Sequence, residues 1–376
     1  MLLTKSIKKS LFCRPKLILG AIKKEHLKKN IEKMQKYLVP LKSVEKQSMP
    51  FVYYNADNIP DFISQHWGQR KLLLTEIFFL SSFCVDRKVN VIYAGAAPGN
   101  HFNILCKLFP NVHFDLIDPE KWNDYFIKLH RSLDQQNMSE DVKHYKISNQ
   151  VNVYHGFMSD GLAHKLCQQY NKNFETDVLF ISDIRPTNID SSSSCINDRD
   201  NIIQENQDMQ LSWYKIIKSY FPNAYAMFKF KPSFIEEQSL YLKGDLYYQP
   251  WAPLLSAEMR LITNSLEMHG YDNKWLEEHL FWYNMEKRNK LTSASDSRLN
   301  DLWDTQYEYE ICKLYCSKSN RFKDPISMMF FLSKNFHDYF RGQNKGKEIF
   351  ENGHEVYYMK KLGWINSIVK KNQKYV

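Results

Sequence analysis

Four apolar runs constrain this chain more than anything else in it: "VNVIYAG" (89–95), "VHFDLIDP" (112–119), "VNVYHGF" (151–157) and "DVLFISDIRP" (177–186). They are nearly continuous in Val, Ile, Leu and Phe, the pattern of strands covered on both faces. Helical stretches lie between them, such as "NHFNILCKLF" (100–109). Strands that alternate with helices imply crossover connections, hence a mainly parallel sheet with helices on both sides. "KLLLTEIFFLSSFC" (71–84) reads as a buried helix, because it carries Glu76 and is too short to span a bilayer. Further on, "NIDSSSSCINDRD" (188–200) reads as a mobile loop and "NIIQENQDMQLSWYKIIKSYF" (201–221) as a long helix. "NAYAMFKFKPSF" (223–234) and "AEMRLITNSL" (257–266) contain further strands, and beyond about residue 270 the pattern turns helical and aromatic. The reading is one α/β domain with N- and C-terminal elaborations and no internal repeat.

At 376 residues and 43% apolar content, the chain can bury one large core. Its seven cysteines, at 13, 84, 106, 167, 195, 312 and 316, form no CxxC pair or His/Cys cluster. Free thiols in a reducing compartment follow, with no metal site. The net charge of +9 is uneven: residues 1–46 carry 13 Lys/Arg against three Asp/Glu, a net of +10, so the remainder nets −1. Within this arm Leu27, Ile31, Met34 and Leu38 recur at helical spacing. Three readings stand: a solvated helix, an arm that grips phosphate backbones, and a transit peptide. The predominance of Lys over Arg and Ser counts against the last, and with it against a mitochondrial destination.

The end of the first run, "VIYAGAAPGNH" (91–101), places two of the chain's 12 glycines and a proline where a strand gives way to a helix. Ligands of open α/β sheets sit at the carboxyl ends of the strands, and glycines let backbone N–H groups meet them. The turn is neither GxGxxG nor GxxxxGK[ST]. Asp118 ends the second strand about twenty residues on, where a carboxylate can take both hydroxyls of a ribose. Asp183 and Arg185 follow the fourth. An adenosine held by strand ends, with a cationic centre near carboxylates and no phosphate cradle, suits S-adenosyl-L-methionine.

Five stretches in this order, "GQRKLLLTEIFFLS", "VIYAGAAPGNH", "LIDP", "LFISDIR" and "QPWAPLLSAEMRL", resemble the poxvirus-type cap-specific mRNA (nucleoside-2′-O-)-methyltransferases. In poxviruses these double as the small subunit of the poly(A) polymerase; more broadly the chain resembles FtsJ-type ribose 2′-O-methyltransferases. The similarity spans roughly residues 50–340. It implies a Rossmann-like S-adenosylmethionine-dependent methyltransferase fold, with a basic, partly helical arm at 1–49 and an α/β core at about 68–268. A helical part follows after about 270, and an extension at 341–376. The implied setting is a cytoplasmic, virus-like transcription system.

The resemblance carries a Lys–Asp–Lys–Glu tetrad onto Lys71, Asp183, Lys229 and Glu258. A ribose 2′-hydroxyl must lose its proton as it attacks a methyl carbon. A lysine serves as base once a second cation and desolvation lower its pKa, so Lys229 is the base candidate and Lys71 its cationic neighbour. Asp183 and Glu258 are the orienting carboxylates. Cofactor contacts fall on Gln69, Tyr93, Gly95, Gly99, Asp118, Arg185 and the backbone near Met158. The chain departs from the family where Glu120 replaces an arginine, with Lys121 beside it. A methylated guanine is best held between aromatic faces with acids at its edge. The resemblance puts such a pocket at Phe234, Glu236, Ser256 and Glu277, with Tyr53 or Tyr54 opposite. The implied partner is capped mRNA, alongside capping-enzyme, poly(A) polymerase or RNA polymerase subunits, and no membrane. Two alternatives accompany the cap methyltransferase: a non-catalytic RNA-binding processivity subunit, and a ribosomal RNA ribose methyltransferase.

Overall fold

The computed structural model describes residues 65–84, 87–123, 135–139, 142–171, 177–184, 196–233, 235–252, 256–284, 303–329, 331–332 and 335. The basic arm, Tyr53, Tyr54, Arg185, Phe234 and the 341–376 extension lie outside them.

The four apolar runs become β1 (Val89–Ala94), β2 (Val112–Asp118), β5 (Val151–His155) and β6 (Asp177–Ser182). With β7 (Tyr225–Phe230) they pair in parallel, in the order β5-β2-β1-β6-β7. The sheet is extended to nine strands. An antiparallel hairpin, β3 (Gln135–Ser139) and β4 (Val142–Lys146), adds beyond β5. At the other edge β10 (Met259–Thr263) runs antiparallel to β7, followed by β9 (Asp245–Tyr247). A separate two-stranded sheet pairs β8 (Gln238–Leu242) with β11 (Met268–Asp272). This is the Rossmann-like architecture expected from the sequence. The hairpin was not foreseen, because "QQNMSEDVKHYK" is polar and lacks the apolar run that marks a central strand.

Side-chain alternation along β1 explains the uninterrupted apolar sequence. Val91 and Tyr93 face one core, with α1 (Gln65–Phe83), α2 (Phe102–Leu108) and α6 (Trp303–Lys318). Ile92 and Ala94 face the other, with α3 (Asp160–Asn171), α4 (Ile196–Tyr220) and α5 (Asn273–Trp282). Both faces are covered, so a polar atom at either set of positions needs a buried partner. Helix α4 begins at Ile196, inside the stretch read as a loop, and β11 carries the strand pattern to Asp272.

Helix α6 is part of the first core. Arg70 of α1 forms a buried bidentate pair with Glu308 of α6, and the Trp251 indole donates to the same carboxylate at 2.9 Å. Tyr315 donates to the Leu108 carbonyl at 2.7 Å. Among the described residues no helix is long and apolar enough to cross a membrane.

Helix α5 holds His279 between the rings of Tyr248 (5.4 Å, 20°) and Trp275 (4.6 Å, 48°). Neither ring nitrogen has a hydrogen-bond partner among the described residues, and burial pulls the imidazole pKa down to about 3. The fold therefore holds His279 neutral, whereas the unfolded chain takes up its proton below about pH 6.5. Its contribution to stability is intact above that pH and falls progressively towards pH 3. His279→Phe, which keeps the ring stack, should lose about 2 kcal/mol less stability than wild type between pH 7 and 5 in urea unfolding. Parallel curves for the two proteins would remove this role.

Candidate active site

The strand order reverses between β1 and β6, and both carboxyl ends lie at this switch point, where open α/β sheets bind ligands. Gly95 follows β1 with φ +84°, a conformation that side chains resist. A Cβ built there would stand 2.6 Å from Asp183 C and from Ile184 N. The glycine is thus required first by the protein's own backbone: the ends of β1 and β6 approach too closely for any side chain. Gly99, at φ +76°, completes the turn.

Asp118, at the end of β2, ties the turn down. Its Oδ2 accepts from Ala97 N–H at 2.9 Å and its Oδ1 from Glu120 N–H at 2.8 Å. Burial raises its pKa, partly offset by those two donors. A carboxylate offers about four acceptor positions, so each oxygen keeps one for a further donor. Phe157, two residues beyond β5, is exposed close by, since Gly156 N–H bonds the Asp118 carbonyl at 3.1 Å.

A polar network lies beneath the turn. Tyr93 is fully buried and donates to Glu76 Oε1 at 2.7 Å; burial, reinforced by Glu76, holds its phenol pKa well above the usual value. His101 places Nε2 at 2.7 Å from Glu76 Oε2 and Nδ1 at 3.1 Å from Gln69 Oε1. The buried Tyr93 side chain therefore braces α1. Met158 is likewise packed into the core. What these two positions offer a ligand is backbone.

Beside the turn, four of the expected residues converge with a fifth. Lys71 Nζ lies 2.7 Å from Glu258 Oε1, and Lys229 Nζ lies 3.9 Å from Glu258 Oε2 and 3.3 Å from the Ile184 carbonyl. Arg260 links the two carboxylates, with Nη1 at 2.9 Å from Asp183 Oδ1 and Nη2 at 3.2 Å from Glu258 Oε1. Gln249 donates to Glu258 Oε1 at 3.1 Å and accepts from Arg260 Nε at 3.1 Å. Burial works against the Glu258 charge, but Lys71, Arg260 and Lys229 outweigh it and hold the carboxyl well below the usual range. Burial likewise opposes the Arg260 charge, and Asp183 and Glu258 overcome it, raising its pKa. The cluster is a fixed ionic cage that opens on the end of β6, and Asp183 belongs to both cage and turn.

Arg260 and Gln249 were missed from sequence, although both stand in "QPWAPLLSAEMRL". The available signal was alternation: residues 258 and 260 share one face of a strand. Of the expected cap-pocket residues, Glu236 is exposed, while Ser256 and Glu277 are partly buried. The Ser256 carbonyl accepts from Asn284 at 2.9 Å and its hydroxyl from Glu258 N–H at 3.3 Å, joining the cage strand to the segment after α5.

Gly95→Ala should destabilise the protein by roughly 2 kcal/mol or more, from the left-handed conformation and the backbone clash together. Gly161→Ala is the control, since its Cβ would meet nothing nearer than Ser159 Oγ at 3.9 Å. Equal unfolding midpoints for the two variants would show that the strand ends can part.

A family model described as Poly A polymerase regulatory subunit matches residues 34–342. A cap-specific mRNA (nucleoside-2′-O-)-methyltransferase of fowlpox virus (strain NVSL) is 28% identical over 204 residues, covering 53% of this chain and 58% of the viral protein. The chain thus spans less than two thirds of that relative's length. A solved structure of bluetongue virus VP4, described as a multifunctional RNA-capping production line, aligns over 65% of this chain and 35% of its own. That likeness, at 13% identity and a TM-score of 0.38, is too slight to bear on function. The family model covers most of the sequence, and the chain belongs to the poly A polymerase regulatory subunit family.

Proposed function

We propose that the protein methylates the ribose 2′-hydroxyl of the first transcribed nucleotide of capped mRNA. The observation that carries this reading is the cage itself. Two lysines and two carboxylates, drawn from positions 71, 183, 229 and 258, meet beside a glycine turn at the switch point of the sheet. The fowlpox relative's activity supports the same reaction.

The residues at the turn fit S-adenosylmethionine. Asp118 keeps acceptor capacity for ribose hydroxyls, Gly95 and Gly99 leave the backbone approachable, and Gln69 is held at the edge by His101. When bound, the cofactor supplies an activated methyl group. The chain's own residues do the rest. Lys229 Nζ takes the 2′-hydroxyl proton, a role open to a lysine that has shed its own. Lys71 and Arg260 keep positive charge around that nitrogen, while Glu258 fixes both lysines in place. Holding the hydroxyl in line with the methyl carbon supplies much of the rate.

For the cap we propose Glu236, Ser256 and Glu277 with Phe234 and one of Tyr53 or Tyr54. The partners we propose are capped mRNA and subunits of a cytoplasmic, virus-like capping, polyadenylation or RNA polymerase machinery. The family's description favours a second role in polyadenylation, which one protein can combine with catalysis.

Lys229→Ala should lower methyl transfer from labelled cofactor by about 10²–10⁴-fold, the usual worth of a general base. Its dissociation constant for S-adenosylmethionine should stay within about threefold of wild type. Full activity in this variant would sink the assignment. Separately, methylated guanosine cap should bind more tightly than the unmethylated form, and capped RNA should be methylated where uncapped RNA is not. Equal handling of capped and uncapped RNA would favour the ribosomal RNA alternative.

A further inference from the structure

Glu236 is exposed and lies in a loop, yet its backbone is held on both sides. Its N–H donates to Ser233 Oγ at 2.8 Å, and that hydroxyl is itself bonded to the Asp200 carboxylate of α4. Its carbonyl accepts from Asn273 Nδ2 at 3.0 Å, and the Glu237 carbonyl accepts from the Asn273 N–H at 3.0 Å. The same Nδ2 donates to Ser239 Oγ at 2.9 Å. Loops are ordinarily more mobile than the elements they join, so the anchorage of one exposed acid to two helices calls for a reason. Asn273 is 1% exposed, and its Oδ1 has no hydrogen-bond partner among the described residues. A buried amide that leaves one atom unmatched is an unfavourable choice for packing alone. What the position uses is the donor: a backbone carbonyl only accepts, so the amide nitrogen must face Glu236.

We propose that Asn273 is a positioning residue for cap recognition: it holds the backbone of Glu236 and Glu237 against the first turn of α5, and so sets Glu236 beside Glu277 where both carboxylates can address one methylated guanine. The inference rests on the cap reading above. Asn273 and Glu277 are four residues apart on α5. Residues at that spacing are neighbours on one helix face, with about 5–6 Å between Cβ atoms. The clamp on Glu236 therefore stands one turn from Glu277. A methylated guanine carries a delocalised positive charge, and its attraction to a carboxylate falls with distance. An unmethylated guanine is neutral and depends on the acids far less. Releasing Glu236 should accordingly cost discrimination between the two caps, more than it costs cap binding as such. The S-adenosylmethionine site, at the turn after β1, should not register the change.

The test measures binding of methylated and unmethylated guanosine cap to wild type, Asn273→Ala, Asn273→Leu and Ser239→Ala, with the dissociation constant for S-adenosylmethionine measured alongside. In Asn273→Ala the preference for the methylated cap should fall about fivefold, the usual effect of one hydrogen bond, while S-adenosylmethionine binds within about twofold of wild type. Asn273→Leu fills the space without a donor and should lose the preference equally. Ser239→Ala removes the other acceptor but leaves the bond to Glu236, so it should keep the wild-type preference. Full preference in either Asn273 variant overturns the proposal. So does an equal loss in Ser239→Ala, or a weakening of both caps by the same factor, since a merely structural role would produce these. If neither Asn273 variant binds S-adenosylmethionine, the wild type labelled with ¹⁵N at asparagine decides. Methylated cap should then shift the Asn273 side-chain amide signal more than unmethylated cap does, and no shift with either overturns the proposal. Wild type that binds the two caps equally instead overturns the cap reading on which the inference rests.

Discussion

Glu258 is the constraint around which the rest of the site is arranged. Ionised and largely enclosed, it would be prohibitive in isolation, and its pairing with Lys71, Arg260 and Lys229 is what makes it tolerable. Those partners arrive on α1, β10 and β7, and Arg260 in turn recruits Asp183 from the end of β6. Four elements are thus held by one set of charges. The same charges that offset the burial of Glu258 thus fix the geometry of the cage.

The neighbouring residue shows how one helix serves two ends. Arg70 and Lys71 are adjacent and both buried, yet they meet different carboxylates. Arg70 turns to Glu308 and so fixes α6 against the sheet, with Trp251 on the same acid. Trp251 adopts φ 58°, unusual for a side chain of that size, and lies in the segment that leads to Ser256 and Glu258. The structural pair and the cage are therefore coupled through adjacent residues of α1. Helix α6, in the part the sequence marked only as an elaboration, is part of what holds α1, and with it Lys71, in place.

Much of the fold was legible because dry strands leave a strong signal. Val91 and Tyr93 face one core and Ile92 and Ala94 the other, so the run could not be mistaken for a surface strand. The β3–β4 hairpin was invisible for the converse reason: an edge strand with one wet face carries little periodicity. In the candidate site, Lys71, Asp183, Lys229 and Glu258 were singled out through the family resemblance of the stretches that hold them. Arg260 was passed over because an arginine in an apolar strand has no motif of its own, and only cross-strand register reveals that it faces Lys229. Tyr93 was expected at the cofactor; that its buried hydroxyl meets Glu76 of α1 is a matter of strand parity and helix docking that a motif match does not address.

The sequence by itself determined the sheet, the order of its central strands' motifs, and the positions where backbone had to turn without a side chain. These are local: apolar periodicity and glycine conformational freedom are written in neighbouring residues. Why "VIYAGAAPGNH" needs its first glycine was decided only by the tertiary structure. Gly95 is required because the backbone at 183–184 passes 2.6 Å from where its Cβ would stand, and those residues lie nearly ninety positions away. The pairing of charges was decided in the same way. Which carboxylate meets which cation depends on strand register and helix docking, and Coulomb energies depend on distances that no sequence separation encodes.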